Sequence, residues 1–521
     1  MKKIALIVFC FLRLYSDNLV WEEPQVLSTI GLNVAEPQIG IDNNGDLVAA
    51  WIENSRVIAN TKPYNESWGV LPIQISDDGA SSLRLVVDRF GNATAIWDLE
   101  GIIQSSSLPF NGSWTFPLDL SDKEASSPRI AVDNSGNIAA IWICDGAIQS
   151  AIKPFNANWP QSPDTISSPF SPGDSPQIAI GGNEYVVAVW HSTSSAGKDA
   201  ICSNQKKIGE SWFNSASIIS NGEVPSVYPQ VAISDDGSAM AAWYRYDVSG
   251  PNYSNIRVQT SFGNTSGMWS DSRDLSSPGN RNPEELVLHV SYNSIGLGLV
   301  LWTNCYDYNT FNLEGSVYGA GAWIPTLQFV ASNLYLYDQD FSISPEGYVC
   351  AAYMEDDSLS GLPIVRAFGA NSFAVIPNYG DQITISNGGS NGYPRTTVSQ
   401  VGSTRMAAAI WLNNNGSNTT VQAAIGQAAI ITPPTSLNAV QNANDLGIFT
   451  EYYNTLSWQG VPPVNAKQWL IFRNGEWIGA TPIDVLEFID HNAIQQEPVV
   501  YGVAMQLQDG DQSQVTTVHF P

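Results

Sequence analysis

Apolar and polar positions alternate along this chain in short runs, and the pattern recurs. "EPQIGIDNNGDLVAAW" ends at Trp51, "SPRIAVDNSGNIAAIW" at Trp142 and "YPQVAISDDGSAMAAW" at Trp243. In each, a run of period two such as "RIAV" meets a polar turn such as "DNSGN". A nearly continuous apolar run such as "IAAIW" follows. Period two is the side-chain repeat of a strand, and a short continuous apolar run fits a strand covered on both faces. Asp42 with Gly45, Asp88 with Gly91 and Asp133 with Gly136 frame the turn, and Ser234 with Gly237 and Ser344 with Gly347 vary it. A capping side chain followed by a Gly suits a tight hairpin with one left-handed residue.

The phrase has eight copies, ending at Trp51, Trp97, Trp142, Trp190, Trp243, Trp302, Tyr353 and Trp411, at intervals between 45 and 59 residues. The copies at Trp302 and Tyr353 are degenerate. After each hairpin comes a third strand ("AIQSAIK") and a fourth, introduced by a second series of aromatics: Trp68, Trp114, Trp159, Trp212, Trp269, Trp323 and Phe373. No helical stripe of period 3.6 intervenes, so the fold is all-β. Four strands per unit at this period predict the blades of a β-propeller. Ala49, Ala95, Ala140, Ala188, Ala241 and Ala408 suit second strands that converge on a narrow axis.

The two ends of the repeat region complement each other. The last unit supplies a third strand, "VQAAIGQ", but no outer one, while "VWEEPQVLS" with Trp21 has an outer strand's pattern and no hairpin before it. Joining them completes an eighth blade and removes an exposed edge. Eight four-stranded blades are expected, or seven if one degenerate copy is an insertion. The repeat phrases ("PQIxID..G...AxW", then "SW..P..LS") resemble those of bacterial exported β-propeller repeat proteins over about residues 21 to 428. That resemblance implies a fold and no particular activity. The Ser-x-Asp-x-Gly spacing of a sialidase Asp-box is absent at Ser234.

The predicted organisation is a signal segment over 1–16, the propeller over 17–430 and a second domain over 431–521. "MKKIALIVFCFLRL" has two lysines before nine apolar residues, too short to span a bilayer but fitting a secretory leader; a buried N-terminal strand is the alternative. A secreted, periplasmic or cell-surface location follows from the leader. Past Pro433 and Pro434, "TLSW" with Trp458, the hairpin "WLIFRNGEWIG", "FID" and "VVYGVAMQLQDGDQS" with Tyr501 resemble a fibronectin type III domain. The resemblance implies a β-sandwich with Trp458 in its core and Tyr501 at a tyrosine corner.

Composition narrows the partners. Asp and Glu number 49 against 22 Lys and Arg, a net charge of −27, which disfavours nucleic acid and anionic lipid. The chain is expected to be monomeric, with no cofactor and no structural metal. Cys144, Cys202, Cys305 and Cys350 are scattered and form no Cys-x-x-Cys, so buried thiols are expected. One carboxylate per hairpin turn cannot satisfy calcium, so the repeated Asp reads as a turn cap.

Four histidines leave little for acid–base chemistry: His191, His289, His491 and His519. His289 lies in the apolar run "LVLHV" and reads as core, whereas His191 follows a blade Trp, where propellers present ligands. No catalytic residue is assigned. The loops after each inner Trp carry Glu53, Asp98, Glu100, Asp145, His191, Arg245, Asp247, Asp307, Glu355, Asp356 and Asp357. Connections between blades add Asp77, Asp78, Asp122, Glu124 and Asp174. With the first strand of each unit innermost, these share one face, predicting an acidic annulus at the channel mouth. Tyr244, Tyr246, Tyr306 and Tyr308 there could stack on a sugar or anchor a protein. Two functions fit: a non-catalytic scaffold for a protein or glycan ligand, or a glycan-active enzyme (hydrolase or lyase) using acidic residues at the mouth. A structural surface component without a small ligand is the third alternative.

Overall fold

The computed structural model describes residues 19–520 except 168–172, 194–198, 222–223, 248–253, 280–286, 294–295, 306–310, 324–326, 333–335, 358–359, 372–382, 430–432, 463–465, 492–497 and 508–512. It also omits positions 320, 346, 403, 446, 449 and 514. The leader, Phe373, Tyr306, Asp307 and Tyr308 therefore lie outside the described residues. Among the described residues the chain is all-β, and no helix is long and apolar enough to cross a membrane.

Residues 20–429 form eight antiparallel sheets. Blade 1 shows the plan: Val34–Ile41, Leu47–Glu53, Arg56–Lys62 and Ile73–Gln74 pair in chain order. Blades 2 to 8 begin at Ala80–Val87, Ala125–Val132, Gly173–Ile180, Ser226–Ile233, Leu288–Tyr292, Leu336–Ile343 and Ser390–Val401. Each of these first strands neighbours the first strand of the next blade, and the last neighbours Val34–Ile41, so the ring closes with the first strands innermost. The β-propeller is thus observed with eight blades.

The eighth blade is completed from the other end of the chain. Val20 and Trp21 pair with Gln427 and Gly426, and Gln25 and Val26 with Ala423 and Gln422. Trp21 lies over Gly426 as Trp269 lies over Gly263, so the N-terminal segment occupies the place of an outer strand.

The second strands are dry because their side chains are small, or flat and fully covered. Ala49, Ala95, Ala140, Ala188, Ala241 and Ala408 have no exposed surface, and the inner Trp residues with Tyr353 are at most 1% exposed. Removing one such indole would cost about 3–5 kcal/mol. In four blades a cross-strand neighbour accepts its N–H: Trp97 donates to Gln104 at 3.2 Å, Trp142 to Gln149 at 3.1 Å, Trp243 to Gln259 at 3.2 Å and Trp302 to Glu314 at 3.0 Å, whereas the Trp411 N–H has no partner among the described residues.

The hairpin turns work as caps. Asp133 Oδ1 accepts the N–H groups of Ser135 and Asn137, both at 2.8 Å, and its Oδ2 accepts the Asn137 side-chain amide. Asp42 and Asp88 repeat this arrangement. Gly136 has φ +82°, the left-handed value the turn requires. Cys144, Cys202 and Cys350 are free, the first and last buried.

Residues 435–520 form a sheet of three strands (Thr435–Asp445, Thr450–Gln459, Glu487–Asp490). A second sheet has four: Glu476–Pro482, Ala466–Arg473, Val499–Leu507 and Thr516–Phe520. The two share one core in which Trp458 meets Trp469 edge-on at 5.9 Å. Asn474 (φ 50°) and Gly475 (φ 84°) turn the hairpin as a two-residue loop with both residues left-handed. The Tyr501 hydroxyl donates to Asp490 at 2.7 Å and accepts from Asn454 at 2.9 Å.

Candidate functional site

Each repeat phrase opens with a Pro-Gln or Pro-Arg step or its equivalent, and that step shapes the channel. Seven of the eight innermost strands carry a one-residue bulge near their start among the described residues: Ala35/Gln38, Ser81/Arg84, Ser126/Arg129, Asp174/Gln177, Val227/Gln230, Leu336/Gln339 and Gly392/Arg395. In six of them the extra residue has positive φ: Glu36, Ser82, Ser127, Ser175, Tyr228 and Tyr393. Five of these precede a proline, which lacks the N–H a regular ladder would need. Bulges of this kind re-aim the side chains that follow.

The residue paired with the position before each inner Trp or Tyr is then the same in every blade. It is Gln38, Arg84, Arg129, Gln177, Gln230, His289, Asp340 and Arg395 in chain order. All eight line one cavity of about 620 Å³ on the channel axis, together with Asp174, Ser175, Tyr228, Tyr244 and Asp338. The bulges lie toward the strand ends that meet the hairpins after each inner Trp, so the cavity opens at the face carrying the loop carboxylates.

Charge inside the cavity is uneven. Arg395, Arg84 and Arg129 come from blades 8, 2 and 3, flanking Gln38 of blade 1. Each guanidinium donates to the carbonyl just before it: Arg84 to Leu83 at 2.6 Å, Arg129 to Pro128 at 2.9 Å and Arg395 to Pro394 at 2.7 Å. Burial, together with the charges of Arg129 and Arg395, pushes Arg84 down to about 9, and burial with Arg395 pushes Arg129 down as well. Arg84 stays protonated at neutral pH.

Blades 6 and 7 contribute His289 and Asp340, the latter beside Arg395 of blade 8. His289 Nε2 lies 4.0 Å from Asp340 Oδ1, and its ring meets Phe341 edge-on. Burial lowers the imidazole's pKa, with Asp340 opposing and Arg395 reinforcing, so the ring is neutral near pH 7. The apolar run around His289 points to the core, but the register turns this residue toward the cavity. Asp340 Oδ2 accepts the Thr396 N–H at 2.8 Å, and burial raises the pKa of Asp338.

Except for Asp174 and Tyr244, the loop residues read from the sequence stand apart from this lining. Glu53 is buried and accepts the Trp51 indole at 3.2 Å and the Thr29 N–H at 3.1 Å. Asp98 caps its own hairpin through the Gly101 N–H at 2.7 Å, and burial raises its pKa. Glu100 and Asp145 are exposed turn residues with φ 50° and 48°. His191 meets Asp199 at 3.0 Å, and Asp199 also accepts the Tyr246 hydroxyl at 3.0 Å. Arg245 pairs with Asp247 at 3.2 Å and with Asp274 at 3.4 Å, and Glu355 pairs with Arg366 at 2.5 Å. Tyr244 is buried, its hydroxyl donating to the Val287 carbonyl at 2.9 Å. Of the acidic residues expected at the mouth, Asp174 reaches the cavity.

For five of the eight ring residues the signal was present in the sequence as the residue after the repeated Pro; its meaning depends on the bulge. Among the described residues no group of three or more His, Cys, Asp or Glu is placed to hold a metal ion.

No family model and no curated protein matches the chain. Among solved structures it is similar to a PL25 ulvan lyase of a polysaccharide lyase family, at 9% identity over 68% of this chain and 95% of that one, TM-score 0.45. A Hadza microbial sialidase is 12% identical over 74% of each chain, TM-score 0.36. The β-propeller domain of the Trilobed protease from Pyrococcus furiosus, described as having an open velcro topology, is 8% identical over 69% of this chain and 97% of that one, TM-score 0.38.

Proposed function

We propose that this chain is an exported glycan-recognition protein that takes its ligand into the channel mouth, with the C-terminal sandwich as a spacer or docking module. One observation carries the reading: every blade contributes a side chain at the same register to a single polar cavity of about 620 Å³. That volume suits a few sugar rings rather than a protein surface. Its Gln, Ser, Arg and Tyr groups offer the donors and acceptors that hydroxylated ligands need. A glycan array probed with the intact protein tests the reading. Retention of a glycan class, lost in Gln177→Leu and Gln230→Leu, is the expected result; unchanged retention in both variants overturns it.

A second reading, a glycan-cleaving enzyme, is favoured by His289. A neutral imidazole inside a ligand-sized cavity, beside a carboxylate and in the same cavity as the guanidiniums, has the protonation state a general base requires. Incubating bound glycans and assaying for shortened products separates the two: turnover abolished by His289→Asn supports the enzyme, and retention without turnover supports the binder.

A further inference from the structure

Arg84, Arg129 and Arg395 are three of only 22 basic residues in a chain of net charge −27, yet they converge on one side of one cavity. Among the described residues no carboxylate lies within ion-pair distance of any of them, and each has only its neighbouring carbonyl as a hydrogen-bond partner. A guanidinium carries five donors in a planar fork, so most of these donors face the cavity unused. Like charges gathered in a partly desolvated site are unfavourable without a counter-charge. Three carboxylates share the cavity, and each is held by a backbone N–H: Asp340 accepts from Thr396, Asp174 from Ser175 at 2.6 Å and Asp338 from Tyr393. Asp340 and Glu36 act on Arg84, and Asp338 and Arg395 on each other, through space and without an ion-pair contact.

We infer that the Arg84–Arg129–Arg395 arc is an anion subsite that receives a carboxylate or sulfate group borne by a sugar. The inference rests on the glycan reading above for the sugar and on the arc alone for the anion. The fork of Arg matches the planar pair of oxygens of a carboxylate, and the three forks of blades 8, 2 and 3 offer enough donors for the three oxygens of a sulfate ester. The acidic exterior does not attract such a ligand from a distance, so recognition depends on the anionic group reaching the arc itself.

Calorimetric titration of the whole protein with glucuronate, inorganic sulfate and glucose tests this. Glucuronate or sulfate should bind and raise the unfolding temperature, glucose should not, and the difference between the two anions identifies the group preferred. Arg84→Gln and Arg129→Gln should each weaken anion binding about tenfold or more, while Arg56→Gln, which removes an exposed ion pair with Asp78, should leave it unchanged. Neither cavity variant should unfold at a lower temperature than the parent, because each relieves repulsion. Arg129→Lys, keeping charge but not the fork, should fall between. Anions that bind no better than glucose, or bind the Gln variants as tightly as the parent, overturn the inference. If neutral glycans are then still retained, the glycan reading survives alone. If anions bind through the arc but no glycan is retained, the subsite stands and the sugar is wrong.

Discussion

Ser28 Oγ accepts the backbone N–H of Val421 at 2.9 Å across 393 residues of sequence, and Val26 pairs with Gln422 beside it. This contact fastens the ring. The strand Thr419–Ala429 would otherwise offer an unpaired edge. Ser28→Ala should cost about 1 kcal/mol in urea unfolding. Removing residues 1–28 should produce concentration-dependent oligomers in light scattering, and a monomer of parental stability would show that closure contributes nothing. Gly426→Ala should act in the same direction, since a Cβ there would stand 2.9 Å from the Trp21 ring.

The hairpin turns predict a second, local sensitivity. Asp88 accepts the N–H of Phe90 at 2.9 Å and of Asn92 at 2.8 Å, and its other oxygen takes the Asn92 amide at 2.7 Å. Asp88→Ala should lower stability by about 1–2 kcal/mol. Gly91→Ala should do comparable harm, for φ is +87° and the new Cβ would fall 2.6 Å from the Phe110 ring. A chelator should leave the unfolding midpoint of the parent unchanged, because these carboxylate oxygens are already spoken for by the turn.

His289 predicts a pH dependence with a definite sign. Burial depresses its folded pKa, whereas the unfolded chain protonates it near the usual value of about 6.5. Between those two values the unfolded state binds the extra proton. The stabilising contribution is therefore complete above pH 6.5 and is lost as pH falls toward the folded pKa. Asp340, Asp338 and Arg395 face the same cavity and are retained in the test variant. His289→Asn should flatten the slope of unfolding free energy below pH 6.5 by at most about 1.4 kcal/mol per pH unit. An unchanged slope would mean that the imidazole titrates normally in the fold.

The architecture was legible because its signals are local. Trp51 and its seven counterparts mark strands readable from period and apolarity, Asp133 and Gly136 mark a turn by chemistry alone, and Trp21 revealed closure by lacking a hairpin. The cavity was not, because it is a product of register. Arg129 and Gln230 look like ordinary strand residues, and one added bulge residue decides where they point. His289 reads as core because its neighbours are apolar, and only its pairing with Leu301 places it in the ring. Glu53 misleads in the opposite direction: a carboxylate in a loop reads as exposed, and only the fold shows it beneath the Trp51 indole.

That contrast separates rim from cavity experimentally. Glu53→Ala leaves the Trp51 indole and the Thr29 N–H without their acceptor, so it should destabilise the protein by about 1–3 kcal/mol. Asp98→Ala, Glu100→Ala and Asp145→Ala combined remove three negative charges around the opening, with one capping bond from Asp98 as the structural cost. If the ligand is held by the inner ring, its affinity should change less than about threefold in the triple variant. Association of an anionic ligand at low salt should quicken, an effect that vanishes at high ionic strength as screening shortens the reach of the rim. Surface-plasmon measurements at two salt concentrations read both quantities. Loss of binding in the triple variant with the Arg84→Gln protein still competent would move the site from the ring to the acidic annulus.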